Sequence, residues 1–204
     1  MTMKILLVPT IRETYKNQFE YSVDLRLINF LKKTFKSLEI TIYNGSNNDN
    51  YNLIILTGGN NSNLIQKKDK IRNNINNKIF NFALKKKIKL LGICHGAHFL
   101  AEKLRFKIQK KSGHVGNHEV FFYTKDLKIN KRVVNSYHNE VIKRKKSKIV
   151  NSFGISEDDT IEAFHVKKMN ILGIMWHPER YSKIKSFDQK LLKEFYATNS
   201  IIGW

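Results

Sequence analysis

The sequence predicts an α/β protein, one domain over residues 1–204, with a mostly parallel central sheet and helices on both of its faces. Three observations carry that expectation. Apolar runs suited to buried strands, at Ile5–Val8, Tyr51–Thr57, Lys89–Ile93 and Ile171–Trp176, are separated by longer segments, several with helical periodicity. The third run leads through Gly92-Ile-Cys-His-Gly96 into a helical pattern with Ala97, Leu100, Ala101 and Leu104 on one face, the sequence form of a nucleophile elbow. Neither an internal repeat nor a proline-rich linker divides the chain, whose prolines are Pro9 and Pro178.

Ile5–Val8 opens the order as the first strand. Val23 to Leu38 follows as an amphipathic helix, with Val23, Leu27, Phe30, Leu31, Phe35 and Leu38 on one face and Ser22 placed to cap it. Glu39–Tyr43 and Tyr51–Thr57 read as strands around an Asn-rich loop. Ile71, Ile75, Ile79, Phe82 and Ala83 mark a second helix, with Asn and Lys on its solvent face. After the elbow helix, short strands are expected near 107–110, 118–123, 132–136, 149–155, 160–166 and 171–176, and a helix from Phe187 to Tyr196 closes the chain.

Cys94 is the one cysteine in the chain. Glycines two residues away on each side let a strand turn sharply into a helix and push the thiol outward. The positive end of that helix favours thiolate over thiol. A matching base is available in Trp176-His-Pro-Glu179. Pro178 disfavours helix at His177, so Glu179 two residues on reaches one imidazole nitrogen and leaves the other to take a proton. Taken singly, Cys94 also suits a buried core position and His177 a strand end beside a solvated acid. Their co-occurrence is what points to catalysis.

Together, Gly92-Ile-Cys-His-Gly96 and Trp176-His-Pro-Glu179 resemble the class I glutamine amidotransferases, especially their stand-alone γ-glutamyl hydrolase branch. Leu53-Ile-Ile-Leu-Thr-Gly-Gly-Asn60 is similar to the family's strand and oxyanion loop, Val134-Asn-Ser-Tyr-His-Asn139 to its substrate-side loop, and Asp159-Thr-Ile-Glu-Ala163 to the strand pair before the catalytic histidine. The likeness runs from Lys4 to the C-terminal helix and implies a flavodoxin-like sheet. It also implies that Cys94 attacks a γ-glutamyl carbonyl, that His177 is general base and then acid, and that Glu179 orients His177. The backbone N–H groups of Gly59 and His95 would form the oxyanion hole, with Gly58, His98, Ser136, Tyr137, His138 and Glu140 on the substrate. Two positions depart from the family pattern. His98 stands where it has Gln four residues after the nucleophile, and Glu140 where it often has Gln after the Ser-x-His loop. A glutamyl head group held differently, or a substrate other than free glutamine, would follow; a neutral core histidine is the plainer reading of His98.

The chain has 204 residues, enough for one such domain and not for a synthetase domain that would consume ammonia. The leading expectation is a hydrolase that cleaves a γ-glutamyl amide through a glutamyl thioester, releasing glutamate and an amine or amidate. In the family such intermediates occur in polyamine breakdown and in making surface-sugar amidates for capsules. Two alternatives stay open: a glutaminase subunit feeding ammonia to a synthetase partner, and a non-catalytic binding member of the fold. The net charge of +20 suits a small anionic γ-glutamyl conjugate, although richness in Lys, Asn and Ile together also marks AT-biased coding. Lys143-Arg-Lys-Lys-Ser-Lys148 lacks interleaved aromatics, so no nucleic-acid partner is expected. Met1 to Pro9 has too short an apolar core for a signal peptide, and no run approaches the ~18 apolar residues of a membrane span. With a lone cysteine, a cytoplasmic location is expected and no membrane partner. His114, His118 and His165 lack tight ligand spacing, so neither a metal nor another cofactor is expected.

Overall fold

The computed structural model describes residues 2–46, 50–59, 66–124 and 129–198. In chain order the first half contains β1 (Met3–Val8), β2 (Thr10–Tyr15), β3 (Gln18–Ser22), α1 (Leu25–Thr34), β4 (Leu38–Ile42), β5 (Leu53–Leu56), α2 (Lys67–Lys86), β6 (Lys89–Ile93) and α3 (His95–Lys103). The second half contains β7 (Ile108–Lys110), β8 (Val115–Tyr123), β9 (Ile129–Tyr137), β10 (Glu140–Lys143), β11 (Asn151–Ser156), β12 (Thr160–Val166), β13 (Ile171–Ile174) and α4 (Ser186–Ala197).

The main sheet runs β4-β1-β5-β6-β13-β12-β11-β8-β9, with β10 bridging β12 and β7 beside it. Its first five strands are mutually parallel. Counted in chain order they lie 2-1-3-4-5, the doubly wound flavodoxin-like order. From β13 onward the pairings along this path are antiparallel. The central strands are apolar throughout because helices cover both faces, and the pleat divides them. Leu6, Val8, Ile54, Leu56 and Leu90 pack with Ile79, Ala83, Ala97 and Leu100 of α2 and α3. Ile5, Leu7, Leu53, Ile55 and Leu91 pack with Leu27, Phe30, Leu31, Leu191 and Phe195 of α1 and α4.

Three local expectations are corrected. The first helix spans Leu25–Thr34, and Asp24, not Ser22, caps it by accepting from the Arg26 N–H at 2.9 Å. Periodicity ran on to Leu38 because Phe35 is buried just past the helix end and Leu38 begins β4. The hairpin β2–β3 replaces an unassigned stretch; its polar, outward-facing residues carry no core pattern, and Asn17 takes the left-handed turn conformation with φ 63°. β10 was missed because Glu140–Lys143 lies between the expected substrate-side loop, ending at Asn139, and the charged run that begins at Lys143. Asn60 of the expected oxyanion loop, and the middle of the Asn-rich loop, lie outside the described residues. Among the described residues no helix is long and apolar enough to cross a membrane.

Candidate active site

Gly58, Cys94 and His177 follow the C-terminal ends of the parallel strands β5, β6 and β13, where open α/β sheets gather their ligands, while Asn135, Tyr137 and His138 reach the same place from the end of β9. β6 ends at Ile93, Cys94 takes φ 50° and ψ −105°, and α3 begins at His95. A non-glycine residue at such a φ stores of order 1–3 kcal/mol of strain, held here by tight packing around it. A Cβ on Gly92 would lie 2.6 Å from the Gly96 carbonyl, and one on Gly96 would drive into the Leu56 carbonyl oxygen. The flanking glycines are therefore what lets α3 seat directly on β5 and β6.

Cys94 is only 8% exposed. Burial pushes its thiol up to about 12, against the lowering pull of the His95 backbone N–H and of Arg180. The thiolate expected from the sequence is thus disfavoured, because burial outweighs the His95 N–H at the start of α3.

His177 follows β13 in extended conformation, at φ −108° and ψ 96°. Its Nδ1 and Glu179 Oε1 are 2.6 Å apart, and both side chains are buried. Glu179 makes this reach from a single 3-10 turn, Pro178–Arg180, not from a continuing strand. Asn135 of β9 clamps the same residue through its backbone. Its Oδ1 accepts the His177 N–H and its Nδ2 donates to the His177 carbonyl, both at 2.8 Å. The Tyr137 ring stands edge-on to the imidazole, with centroids 5.4 Å apart.

Cys94 and His177 both border Gly58. A Cβ there would lie 2.5 Å from His177 Cε1 and 3.5 Å from Cys94 Cβ, so only a glycine leaves the imidazole its place beside Cys94. Thr10 fixes the adjoining peptide, since its hydroxyl donates to the Gly58 carbonyl at 2.6 Å. In a trans peptide the N–H points opposite to the C=O, so this bond turns the Gly59 N–H away from Thr10, and Gly59 lines the cleft. Buried Arg72 of α2 secures the strand ends behind it, donating to the Val8 carbonyl at 2.9 Å and the Thr57 carbonyl at 3.0 Å.

The cleft over Cys94 has a volume of about 750 Å³. Lys110, Lys111 and Arg180 line it, with Glu140 as the carboxylate among its lining residues. Arg180 stacks 4.7 Å above the Tyr137 ring. His98 and His138 both bond the Glu140 carbonyl, at 3.0 and 2.9 Å, and both line the cleft. Burial, with His138 adding, lowers His98 to about 4, so it is a neutral, packed residue that also forms cleft wall. Ser136 is a correction. It is buried and off the cleft, because alternate residues of β9 face opposite ways and Asn135 and Tyr137 take the His177 side.

The sequence reading missed Thr10, Arg72, Asn135 and Arg180 as parts of this site. Asn135 and Arg180 sit inside or beside quoted motifs and were legible in principle; Thr10 and Arg72 act across the fold from positions with no local signature. His165 packs against Phe195, with centroids 6.0 Å apart, whereas His114 and His118 come together around Glu162 of β12.

Residues 14–198 match the family model for glutamine amidotransferase class-I. A curated Campylobacter jejuni protein named gamma-glutamyl-CDP-amidate hydrolase is 36% identical over 149 residues, which cover 71% of this chain and 69% of that one. Among solved structures, a putative GMP synthase protein from Thermoplasma acidophilum superposes with a TM-score of 0.70 at 17% identity, over 97% of this chain and 94% of its own. PurLQS from Thermotoga maritima gives 0.69 at 19% identity, over 97% and 98%. The two structures share the fold; the family match and the Campylobacter jejuni relative show that this chain belongs to the class-I glutamine amidotransferase family.

Proposed function

We propose that the chain, as one hydrolase domain, cleaves the amide bond between a γ-glutamyl group and an anionic, amine-bearing partner of the nucleoside-diphosphate amidate type. Family membership makes it an amide C–N hydrolase. The observation that carries the finer reading is the placing of Cys94 and His177 beside Gly58, beneath a cleft walled by Lys110, Lys111 and Arg180.

In this reading His177 Nε2 takes the Cys94 proton as sulfur attacks the γ-carbonyl. Deprotonation accompanies attack because burial disfavours a free thiolate. The tetrahedral oxyanion meets the N–H groups of Gly59 and His95, each such donor being worth about 2.7–4 kcal/mol by analogy. His177 returns the proton to the leaving nitrogen and the C–N bond breaks, leaving a glutamyl thioester. Water, deprotonated by His177, then releases glutamate and restores the thiol. The cleft cations suit a diphosphate on the departing amidate, which fits the substrate named for the Campylobacter jejuni relative and a cytoplasmic place in capsule sugar-amidate synthesis.

The test is steady-state kinetics of the purified chain on a γ-glutamyl nucleoside-diphosphate amidate and on glutamine. The conjugate should show the higher kcat/KM with no second protein present, and Cys94→Ala should lose roughly 10⁴-fold or more in kcat. Equal use of glutamine, or turnover only after another protein is added, would move the chain to the ammonia-supplying reading.

A further inference from the structure

Behind the cleft wall, three imidazoles converge on one buried carboxylate that the amide chemistry does not use. Glu162 is 1% exposed, and neither of its oxygens has a hydrogen-bond partner among the described residues. His114 Nδ1 lies 3.6 Å from Oε1, while His118 Nε2 and His138 Nε2 lie 3.4 and 3.8 Å from Oε2. The candidate donor atoms of His114, His118 and Glu162 all fall within 4.8 Å of one another.

The outward nitrogens fix the tautomers of His114 and His138, whereas neither nitrogen of His118 has a hydrogen-bond partner among the described residues. His138 Nδ1 faces a carbonyl, that of Glu140 at 2.9 Å, so it must carry the proton, leaving a lone pair on Nε2 in the neutral ring. His114 Nε2 is 2.7 Å from Asp158 Oδ2, which likewise leaves its Nδ1 as the lone-pair nitrogen. Asp158 is itself held by the Ser156 and Thr160 hydroxyls at 2.6 and 2.9 Å and by Lys111 at 2.6 Å. Lone pairs thus face a carboxylate across gaps too long for hydrogen bonds of about 2.7–3.2 Å. The gaps from His114 and His118 to the carboxylate, 3.6 and 3.4 Å, are near the donor separation of about 3.3 Å expected around an ion bound at about 2.0–2.1 Å. An imidazole whose second nitrogen is bonded to a carboxylate or a carbonyl is the usual outer arrangement of a histidine metal ligand.

We propose that His114, His118 and Glu162 form a binding site for a divalent transition-metal ion of the zinc type, with His138 at its edge. One such cation answers the Glu162 charge and the imidazole nitrogens turned toward it at once, whereas protons alone would need more than one imidazolium packed in a buried space. The ion joins β8 to β12 beside the β9–β10 turn. The start of β8 pairs with β9 but lies beyond the pairing with β11, which goes only as far as Ser156 opposite Val120, so the ion would tie that end of the β8–β9 pair to β12. Because His138 borders Glu162 and also lines the cleft, the ion would sit directly behind the active-site wall. Chain spacing concealed this site, since its ligands come from separate strand regions.

Metal content of the full-length protein tests this independently of any amidohydrolase activity. After chelator treatment, incubation with Zn²⁺ and desalting, elemental analysis should find one zinc per chain in the parent and in Cys94→Ala, and none in His118→Ala or Glu162→Gln. Zn²⁺ should raise the Tm of the parent and leave that of His118→Ala unmoved. If those variants fail to fold, X-ray absorption of the zinc-loaded parent decides, with nitrogen and oxygen scatterers at about 2.0–2.1 Å supporting the site. No retained zinc in the parent, undiminished zinc in both variants, or sulfur scattering at about 2.3 Å would overturn it.

Discussion

At the scale of single residues, the site is built by restraint more than by reactive groups. Cys94 is strained and buried, and its thiol is pushed up to about 12 by that burial. The sign of the resulting pH dependence is definite. A raised thiol pKa means little thiolate near neutrality and a thiolate fraction that rises about tenfold per pH unit until that pKa is approached. Alkylation of Cys94 by iodoacetamide, followed by intact mass, should therefore be slow at pH 7 and still be climbing past pH 9, with no adduct in Cys94→Ala. A rate that levels off below pH 8 would show a thiolate at rest and sink the concerted step. Thr10 acts one bond further out, through the Gly58 carbonyl. Thr10→Val keeps the shape and removes the hydroxyl, so the Gly59 amide loses its aim. Since an oxyanion donor acts in the transition state, kcat should fall, by up to about 10²-fold, with KM little changed, while Thr10→Ser should restore most of it. A loss in KM alone would place Thr10 outside the oxyanion machinery.

Whole elements set what each of those residues can reach, and here the sequence was unevenly legible. The strand-to-helix junction at Cys94 could be read because its constraint is local: two glycines, an apolar run before and a helical stripe after. His177 and Glu179 could be read for the same reason. β2–β3 could not, because the ribbon commits only Ile11 fully to the core, with Phe19 packed against it, too few apolar positions to leave a periodic trace. Yet its first residue, Thr10, holds the Gly58 loop beside Cys94. Arg72 is similar, a fully buried cation lowered to about 9 by desolvation alone, whose carbonyl partners lie on other elements. Its helix was expected, its task was not. α4 offers an element-scale test. Asp188 in its first turn accepts from the Trp176 indole N–H at 2.8 Å, and burial raises its carboxyl from 3.8 to about 6, with Lys185 and Arg132 pulling the other way. Below pH 3.8 both folded and unfolded chains hold the proton and the group costs nothing. Between that value and about 6 the unfolded chain loses its proton first, so stability falls as pH rises, by up to about 3 kcal/mol in all. Asp188→Asn keeps the acceptor for Trp176 and cannot ionise. Any constant offset from the amide cancels in the comparison, so its Tm relative to the parent should move upward from pH 4 to pH 7. A difference that stays flat over that range would mean Asp188 ionises normally in the folded protein.

Across the whole molecule, the question is whether a net charge of +20 has any bearing on the chemistry. Much of it lies on lysines scattered over solvent faces, such as the exposed side of α2, where composition alone accounts for it. The cleft is different in kind. Lys110, Lys111 and Arg180 border the space above Cys94, but Lys111 is ion-paired with Asp158 at 2.6 Å and adds little net field, so Lys110 and Arg180 carry the local effect. A general surface field and a local set of cations respond differently to salt. The Debye length shrinks from about 30 Å at 0.01 M to about 10 Å at 0.1 M, which removes long-range attraction but screens close, partly buried contacts less. For an anionic γ-glutamyl conjugate, kcat/KM should therefore fall steeply over the first increments of salt and then settle at a value still above that for glutamine. For a neutral γ-glutamyl amide of similar size it should hardly change. Lys110→Ala and Arg180→Ala should lower the settled value for the anionic substrate, raising KM more than they lower kcat, while the early salt-dependent fall survives because the rest of the charge remains. Arg180→Ala also removes a neighbour of Glu179, 3.7 Å away, so Lys110→Ala is the cleaner arm. If salt brings the anionic and neutral substrates to the same kcat/KM in the parent, the cleft cations do not recognise the leaving group, and the preference for a diphosphate amidate would have to be abandoned.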